Sequence, residues 1–170
     1  MIRIGLGQDS HPLAKKDSTN KQKALMLGGI EIECGYYLKA DSDGDVIIHA
    51  ICNSLSTAIG EGSLDTWTGE MFRQGITDSR EFLGPITKKL KKQNYQIVNL
   101  SIMVEAAQPR LEKHRKIITG SLATLLNINP NQIGMAFTSG EGLTSFGKGK
   151  AIQVFCTTLI AQKNFLPTIK

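Results

Sequence analysis

Apolar and polar positions alternate at the start of the chain. Ile2, Ile4 and Leu6 recur at every second residue, the period of a strand, and predict one over residues 2–8. Gly5 and Gly7 fall between them and permit close approach of another backbone. Residues 14–23 are polar and read as a mobile loop. Leu25-Met26-Leu27 and Ile30-Glu31-Ile32 flank Gly28-Gly29 and predict a hairpin. The period then becomes helical: Val46, Ala50, Ile51, Leu55, Ala58 and Ile59 share one stripe, with Asp45 as N-cap after the Asp43-Gly44 turn. His49 falls off that stripe, in line with Asp45 and Asn53. Residues 60–77 carry Gly60, Gly62, Gly69 and Gly75 and read as a long loop, of a length that is often functional.

A second helix is predicted from Asp78 or Ser79, kinked at Gly84-Pro85 before Ile86–Gln93. Gln96–Glu105 reads as a strand, and Pro109 as the first residue of a third helix ending near Leu126. After a turn at Asn127–Asn131 come a strand at Ile133–Thr138, a Gly/Ser-rich loop at Ser139–Lys150, a last strand at Ala151–Ala161 and a loose tail at 163–170. Interspersed strands and helices predict an α/β (α+β) fold, one domain over residues 1–170. Its mixed or antiparallel sheet should have about four or five strands, packed on about three helices.

Composition narrows the classes. A chain of 170 residues, 41% hydrophobic and 21% charged, can bury a sizeable core. Its apolar runs are short, so no membrane span is expected. Met1 leads into Ile2-Arg3-Ile4 without an apolar leader, and a cytoplasmic location is expected. Cys34, Cys52 and Cys156 show no metal or redox spacing and read as reduced, buried thiols. The net charge of +5 comes mainly from Lys88, Lys89, Lys91 and Lys92 and from Lys113, Arg115 and Lys116. These are either solvated faces or an attraction for an anionic ligand. With 6% aromatic residues, a nucleic-acid stacking surface is not expected. Trp67 reads as a hydrophobic plug and His114 as exposed.

Two stretches carry candidate chemistry. Asp9 and His11, spaced i and i+2, share one face of an extended chain, and His49 lies one turn inside the first helix. Such a set suits an open tetrahedral zinc site, and equally suits satisfied polar residues. The stretch from Thr138 to Lys150 offers glycine N–H groups, hydroxyls, Glu141, Lys148 and Lys150. It reads either as a phosphate cradle, with Glu141 on a divalent ion, or as an ordinary flexible loop. The strand-to-helix join at Glu105–Leu111 has free N–H groups that suit an anion or a base edge.

Several motifs follow in order along nearly the whole chain: Arg3-Ile-Gly-x-Gly-x-Asp-x-His11, Leu27-Gly-Gly-Ile30, Ser42-Asp-Gly-Asp-Val-x-x-His-Ala50, Asp78-Ser-Arg80, Asn94-Tyr-x-Ile97, Asn99, Pro109-Arg-Leu111 and Glu141 to Gly149. Together they resemble the 2-C-methyl-D-erythritol 2,4-cyclodiphosphate synthase family of the non-mevalonate isoprenoid pathway. The resemblance implies a phosphorus–oxygen lyase acting on 4-diphosphocytidyl-2-C-methyl-D-erythritol 2-phosphate, a cytidine diphosphate substrate, with release of CMP and no covalent enzyme intermediate. It implies Zn2+ on Asp9, His11 and His49, one ion per subunit, and Mg2+ or Mn2+ through Glu141. It implies a homotrimer with interfacial active sites, sheets facing the axis and helices outside.

Catalytic positions would fall to Asp41 and Ser139. Substrate contacts are implied for Asp9, Ser10, His11, Asp41 and Ser42. Ser63, Leu64 and Asp65 would cover the erythritol, and Ala106, Pro109, Arg110 and Leu111 of a neighbouring subunit would take the cytosine. Thr138, Ser139 and Gly140 would touch the diphosphate, with Glu141, Ser145 and Lys148 completing the set. The chain departs from the family pattern at Asp41, where histidine is usual. It also departs at Asn53, Ala136, Ser145 and Gly62–Trp67. Two alternatives remain: a nucleotide-diphosphate-binding homologue with weak or no turnover, and a generic zinc phosphohydrolase. No nucleic-acid or membrane partner is expected.

Overall fold

The first strand outlasts its apolar alternation. In the computed structural model, which describes residues 1–165, β1 runs Ile2–Lys15, well past the expected end at residue 8. The pleat continues: Ile2, Ile4 and Leu6 fall on the exposed face, and Asp9 and His11 follow Gly5 and Gly7 on the face against the helix. β1 pairs antiparallel with β7 (Ala151–Gln162), from Ile2 opposite Ala161 to Pro12 opposite Ala151. Its last residues, from Leu13 to Lys15, pair with β4 (Tyr36–Leu38), a short strand the sequence pattern did not mark. On the other side of β7 lies β5 (Tyr95–Glu105), antiparallel, followed by β6 (Ile133–Thr138), parallel to β5. The mixed five-stranded order is β4-β1-β7-β5-β6, and β2 (Leu25–Leu27) with β3 (Ile30–Ile32) forms the expected hairpin.

Helices cover one face of the sheet. α1 (Val46–Ala58) is buried except at Asn53 and Thr57, so the single expected stripe understates it; Ile47, Ile48 and Cys52 are core as well. A helix buried on nearly every side belongs inside, and here buried Ser54 and Ser56 are among its polar residues. It lies directly on β1, because Gly7 and Gly5 leave room for it. A Cβ at Gly7 would stand 2.1 Å from the Ala50 carbonyl oxygen, and one at Gly5 would stand 1.9 Å from that of Ser54. Asp45 caps α1 by accepting from the Ile48 N–H, and the same buried carboxylate accepts from Gly28 and Gly29. The hairpin is thus tied to the helix start.

Three expectations change in the helical layer, which holds four helices. Residues 60–77 are not all loop: α2 (Asp65–Arg73) lies within them. Its glycine costs about 1 kcal/mol and does not stop the helix, and Asp65 and Arg73 complement the dipole at its two ends. Trp67 plugs it to the next helix, its Nε1–H donating to the Phe82 carbonyl at 3.2 Å. α3 (Ser79–Lys92) runs on through Gly84-Pro85. Proline removes one N–H donor, and the remaining contacts hold the helix together. α4 (Arg115–Leu126) starts later than expected: Pro109 follows a cis bond in the preceding loop, and a 3₁₀ turn at Glu112–His114 leads into the helix. α4 makes the crossover that parallel β5 and β6 require.

Smaller corrections follow from burial. Cys34 and His114 are half-buried, where a buried thiol and an exposed imidazole were expected. Of the expected mobile segment 14–23, residues 14 and 15 belong to β1. Lys163 to Phe165 of the expected tail make a turn, and 166–170 lie outside the described residues. Among the described residues no helix is long and apolar enough to cross a membrane.

Among the described residues no helix covers the opposite face of the sheet. Ile4 and Leu6 on β1 are 69% and 59% exposed, with Met103 on β5 and Phe155 on β7 beside them at 45% and 42%. Their register puts Met103, Phe155 and Gln8 in one row and Ser101, Thr157 and Leu6 in the next.

Candidate metal centre

Where β1 and α1 meet, three ligand atoms converge. Asp9 Oδ2 lies 3.0 Å from His11 Nε2 and 3.0 Å from His49 Nδ1. The two imidazole nitrogens are 3.2 Å apart, and the rings meet edge to face with centroids separated by 5.3 Å. The register of β1 puts Asp9 and His11 on the helix side, opposite Val154 and Ile152. The close glycine contact sets α1 at the height that delivers His49. His49 is 6% exposed and packs against Phe82, with ring centroids 5.7 Å apart. Of the described residues, only these three form a cluster able to hold a metal ion.

Charge follows from this packing. Burial would raise the Asp9 carboxyl, but hydrogen bonds from His11 and His49 and their positive charge outweigh it. The group is held well below the usual carboxylate range, so Asp9 is an anion and an available ligand at any pH where the protein works. Behind the cluster, His49 Nε2 is 2.8 Å from Ser79 Oγ, which donates to Asp43 Oδ1 at 2.5 Å. Ser79 was marked in the sequence as a helix start and within the Asp78-Ser-Arg80 motif, and nothing in its spacing predicts this contact.

The other expected residues divide into two groups. Ser42 is near the cluster, its Oγ 3.4 Å from His49 Nε2. Asp41 is exposed and lines a cavity of about 420 Å³ with Ser42, Asp43, Thr77, Asp78 and Arg80. Ser63 and Asp65 are exposed before and within the first turn of α2, whereas Leu64 is buried beneath them.

Thr138 ends β6 at the sheet edge, and the loop from Ser139, with Gly140, Glu141, Ser145 and Lys148, runs back to β7, where the Leu13 N–H of β1 donates to the Lys150 carbonyl at 2.9 Å; Glu141 is not part of the ligand cluster. Ser139 Oγ donates to Glu141 Oε1 at 3.0 Å, and Thr144 Oγ1 donates to Glu105 at the end of β5. The segment with Ala106, Pro109, Arg110 and Leu111 is tied to this loop, since the Ala107 N–H donates to the Phe146 carbonyl at 3.2 Å. Leu111 itself is 3% exposed and points into the core, so its backbone is the part left for a ligand.

Known proteins share this fold. A family model described as the YgbB family matches residues 2–161. The 2-C-methyl-D-erythritol 2,4-cyclodiphosphate synthase of Chlamydia caviae is 37% identical over 163 residues, spanning 95% of this chain and 90% of that protein. The solved structure of IspF from Plasmodium falciparum in complex with CDP is 35% identical, covers 96% of this chain and 97% of its own, and superposes with a TM-score of 0.82. The 2C-methyl-D-erythritol 2,4-cyclodiphosphate synthase of Plasmodium vivax is 29% identical, with coverage of 96% and 99% and a TM-score of 0.80.

Proposed function

This chain belongs to the YgbB family, and we propose that it converts 4-diphosphocytidyl-2-C-methyl-D-erythritol 2-phosphate to 2-C-methyl-D-erythritol 2,4-cyclodiphosphate and CMP. The observation that carries the reading is the convergence of Asp9 Oδ2, His11 Nε2 and His49 Nδ1 in a fold whose relatives bear that activity as their name. An oxygen of the 2-phosphate attacks the β-phosphorus, the bond from that phosphorus to the CMP oxygen breaks, and the ring closes. No protein nucleophile is needed. The protein's contribution is to hold the two phosphates in line and to neutralise charge.

One carboxylate oxygen and two imidazole nitrogens suit Zn2+ with a fourth position open. Bound there, the ion supplies a Lewis acid for a phosphoryl oxygen. Glu141 offers a hard carboxylate for Mg2+ or Mn2+ shared with the diphosphate. Thr138, Ser139, Gly140 and Lys148 donate to its oxygens, with Ser145 beside them. Asp9, Ser10, His11 and Ser42 border the reacting phosphates, with Ser63, Leu64 and Asp65 over the erythritol. Asp41 and Ser139 stand at the reacting centre. The backbone of Ala106, Pro109, Arg110 and Leu111 receives the cytosine, and the reaction belongs to the cytoplasm.

A homotrimer reconciles the two halves. Thr138, where the loop starts, is three strand spacings or roughly 14 Å from β1, and Glu141 is outside the ligand cluster, although the loop returns to β1 at Lys150. The uncovered apolar patch of Ile4, Leu6, Met103 and Phe155, spread over successive rows, supports sheets facing a common axis. The cytosine loop of a neighbouring subunit then completes each site. The test is CMP release from the purified protein given substrate and Mg2+ or Mn2+, with sedimentation for the trimer mass. No release above a His49→Ala control would overturn the assignment. The exposed carboxylate of Asp41 favours a second reading, CDP binding with slow turnover. Calorimetry with CDP beside the same assay separates the two.

A further inference from the structure

We infer that Ser79, held by Asp43, is a positioning residue that selects which nitrogen of His49 faces the metal. The inference rests on the metal reading of the Asp9, His11 and His49 cluster. A serine hydroxyl has one hydrogen. The Asp43 carboxylate is acceptor-only and lies 2.5 Å from Ser79 Oγ, so that hydrogen goes to Asp43. Ser79 Oγ, 2.8 Å from His49 Nε2, then acts as an acceptor, and Nε2 carries the imidazole proton. In the neutral ring Nδ1 is left with its lone pair, aimed at Asp9 Oδ2 3.0 Å away. Two lone pairs at that distance repel unless a cation stands between them.

Asp43 is itself pinned. Its carboxylate accepts from the Ser79 N–H at 3.1 Å and from the Asp45 N–H at 3.1 Å, and its own N–H donates to the Thr77 carbonyl at 3.0 Å. Ser79 has no exposed surface, so water does not replace its hydroxyl. Ser42 Oγ is the other oxygen near Nε2, but it is 3.4 Å away and already accepts the Gly44 N–H. The relay thus runs from a carboxylate through a serine to a metal-facing histidine, the arrangement by which an outer partner fixes ring orientation and raises ligand basicity.

The test has two arms. Nitrogen-15 shifts of the His49 ring in the zinc-loaded protein report, without any activity, which nitrogen carries the proton and which faces the metal. The wild type and Ser79→Thr should hold Nε2–H, and Ser79→Ala should show a mixture. Zinc affinity, measured by competition with a chromophoric chelator, should fall by about 10- to 100-fold in Ser79→Ala and in Asp43→Asn, and by less than about threefold in Ser79→Thr. A wild-type ring protonated on Nδ1 overturns the inference, with no variant required. So does Ser79→Ala with unchanged tautomer and affinity, which leaves the metal reading standing. A wild type that takes up no zinc overturns both.

Discussion

The metal corner and the glycine loop lie at the same end of one sheet and are held by opposite means. Asp9 and His11 stand on a strand paired with β7 and, just beyond them, with β4. His49 is fixed by a buried helix, by Phe82 and by Ser79. No residue from Ser139 to Lys150 is buried. Short turns shape that loop, such as the Lys148 N–H to the Thr144 carbonyl at 3.0 Å and the Lys150 N–H to the Ser145 carbonyl at 3.0 Å. One chain therefore determines the geometry of the triad, whereas in the proposed assembly the loop would take further partners from substrate and a neighbouring subunit. A phosphoryl-transfer site gains from that division, because the ion needs a rigid cage and the diphosphate must enter and leave.

The largest effects should come from cutting each region at its ligand. His49→Ala should lower zinc affinity by roughly 100- to 1,000-fold, since about 10–16 kcal/mol of zinc binding at a four-ligand site comes to about 2.5–4 kcal/mol per ligand. CMP release should fall to background. Glu141→Gln should leave zinc content unchanged and slow CMP release by about 10- to 100-fold. Metal analysis beside the turnover assay reads both. Loss of zinc from both variants would show that the two regions are a single unit.

Backbone substitutions come next. Gly7→Ala drives a methyl into α1, 2.1 Å from the Ala50 oxygen and 2.3 Å from the Ser54 nitrogen, and should cost about 3 kcal/mol of folding stability or more. Gly142→Ala meets open space and only the strain of a φ of +72°, about 1 kcal/mol. Urea unfolding measures the gap between them. Equal losses would mean that the loop is as tightly determined as the corner.

Acid should expose a smaller difference. The native carboxyl of Asp9 is lowered, because the hydrogen bonds and charge of His11 and His49 outweigh the upward push of burial. A lowered native value means that its stabilisation is present above the unfolded value of about 3.9 and fades as pH falls through the native one. The stability advantage of wild type over Asp9→Asn should persist at pH 5 and above and shrink below about pH 4. An advantage that grows in acid would contradict the lowered carboxyl.

The two regions were unequally legible in the sequence. The Asp-x-His spacing and a capped helix carrying His49 located the corner, because strand and helix periods are local properties. Spacing could not show that Gly5 and Gly7 set the height of α1, or that Ser79 closes on His49 across 30 residues. Both depend on packing. α2 was hidden because its glycine and polar surface imitate a loop, and β4 because three residues carry no period. Pro109 looked like a helix start, but the chain makes a 3₁₀ turn first. The glycine loop was visible as composition alone. That it starts three strands from β1 and returns beside it needed the strand order, since β6 is last in space although β7 is last in sequence.

The smallest expected effect uses thiols as reporters of how separately the regions open. Cys52 lies on α1 one turn after His49, and burial, with the charge of Asp45 and then Cys156, pushes its thiol far above the ordinary range. Burial pushes Cys156, beneath it on β7, up to about 11. Thiolate is the reacting form, so both should resist a disulfide reagent at pH 8 until the core opens, while half-buried Cys34 reacts first. Zinc at 100 times its dissociation constant stabilises the native corner by about 2.7 kcal/mol and should slow Cys52 labelling about 100-fold. Glu141→Gln acts on a loop that makes no part of this packing and should change the Cys52 rate by less than about twofold, the scatter expected for a distant, independent site. A larger change would mean that the loop and the corner open together, and the division of labour between them would then fail at its weakest point.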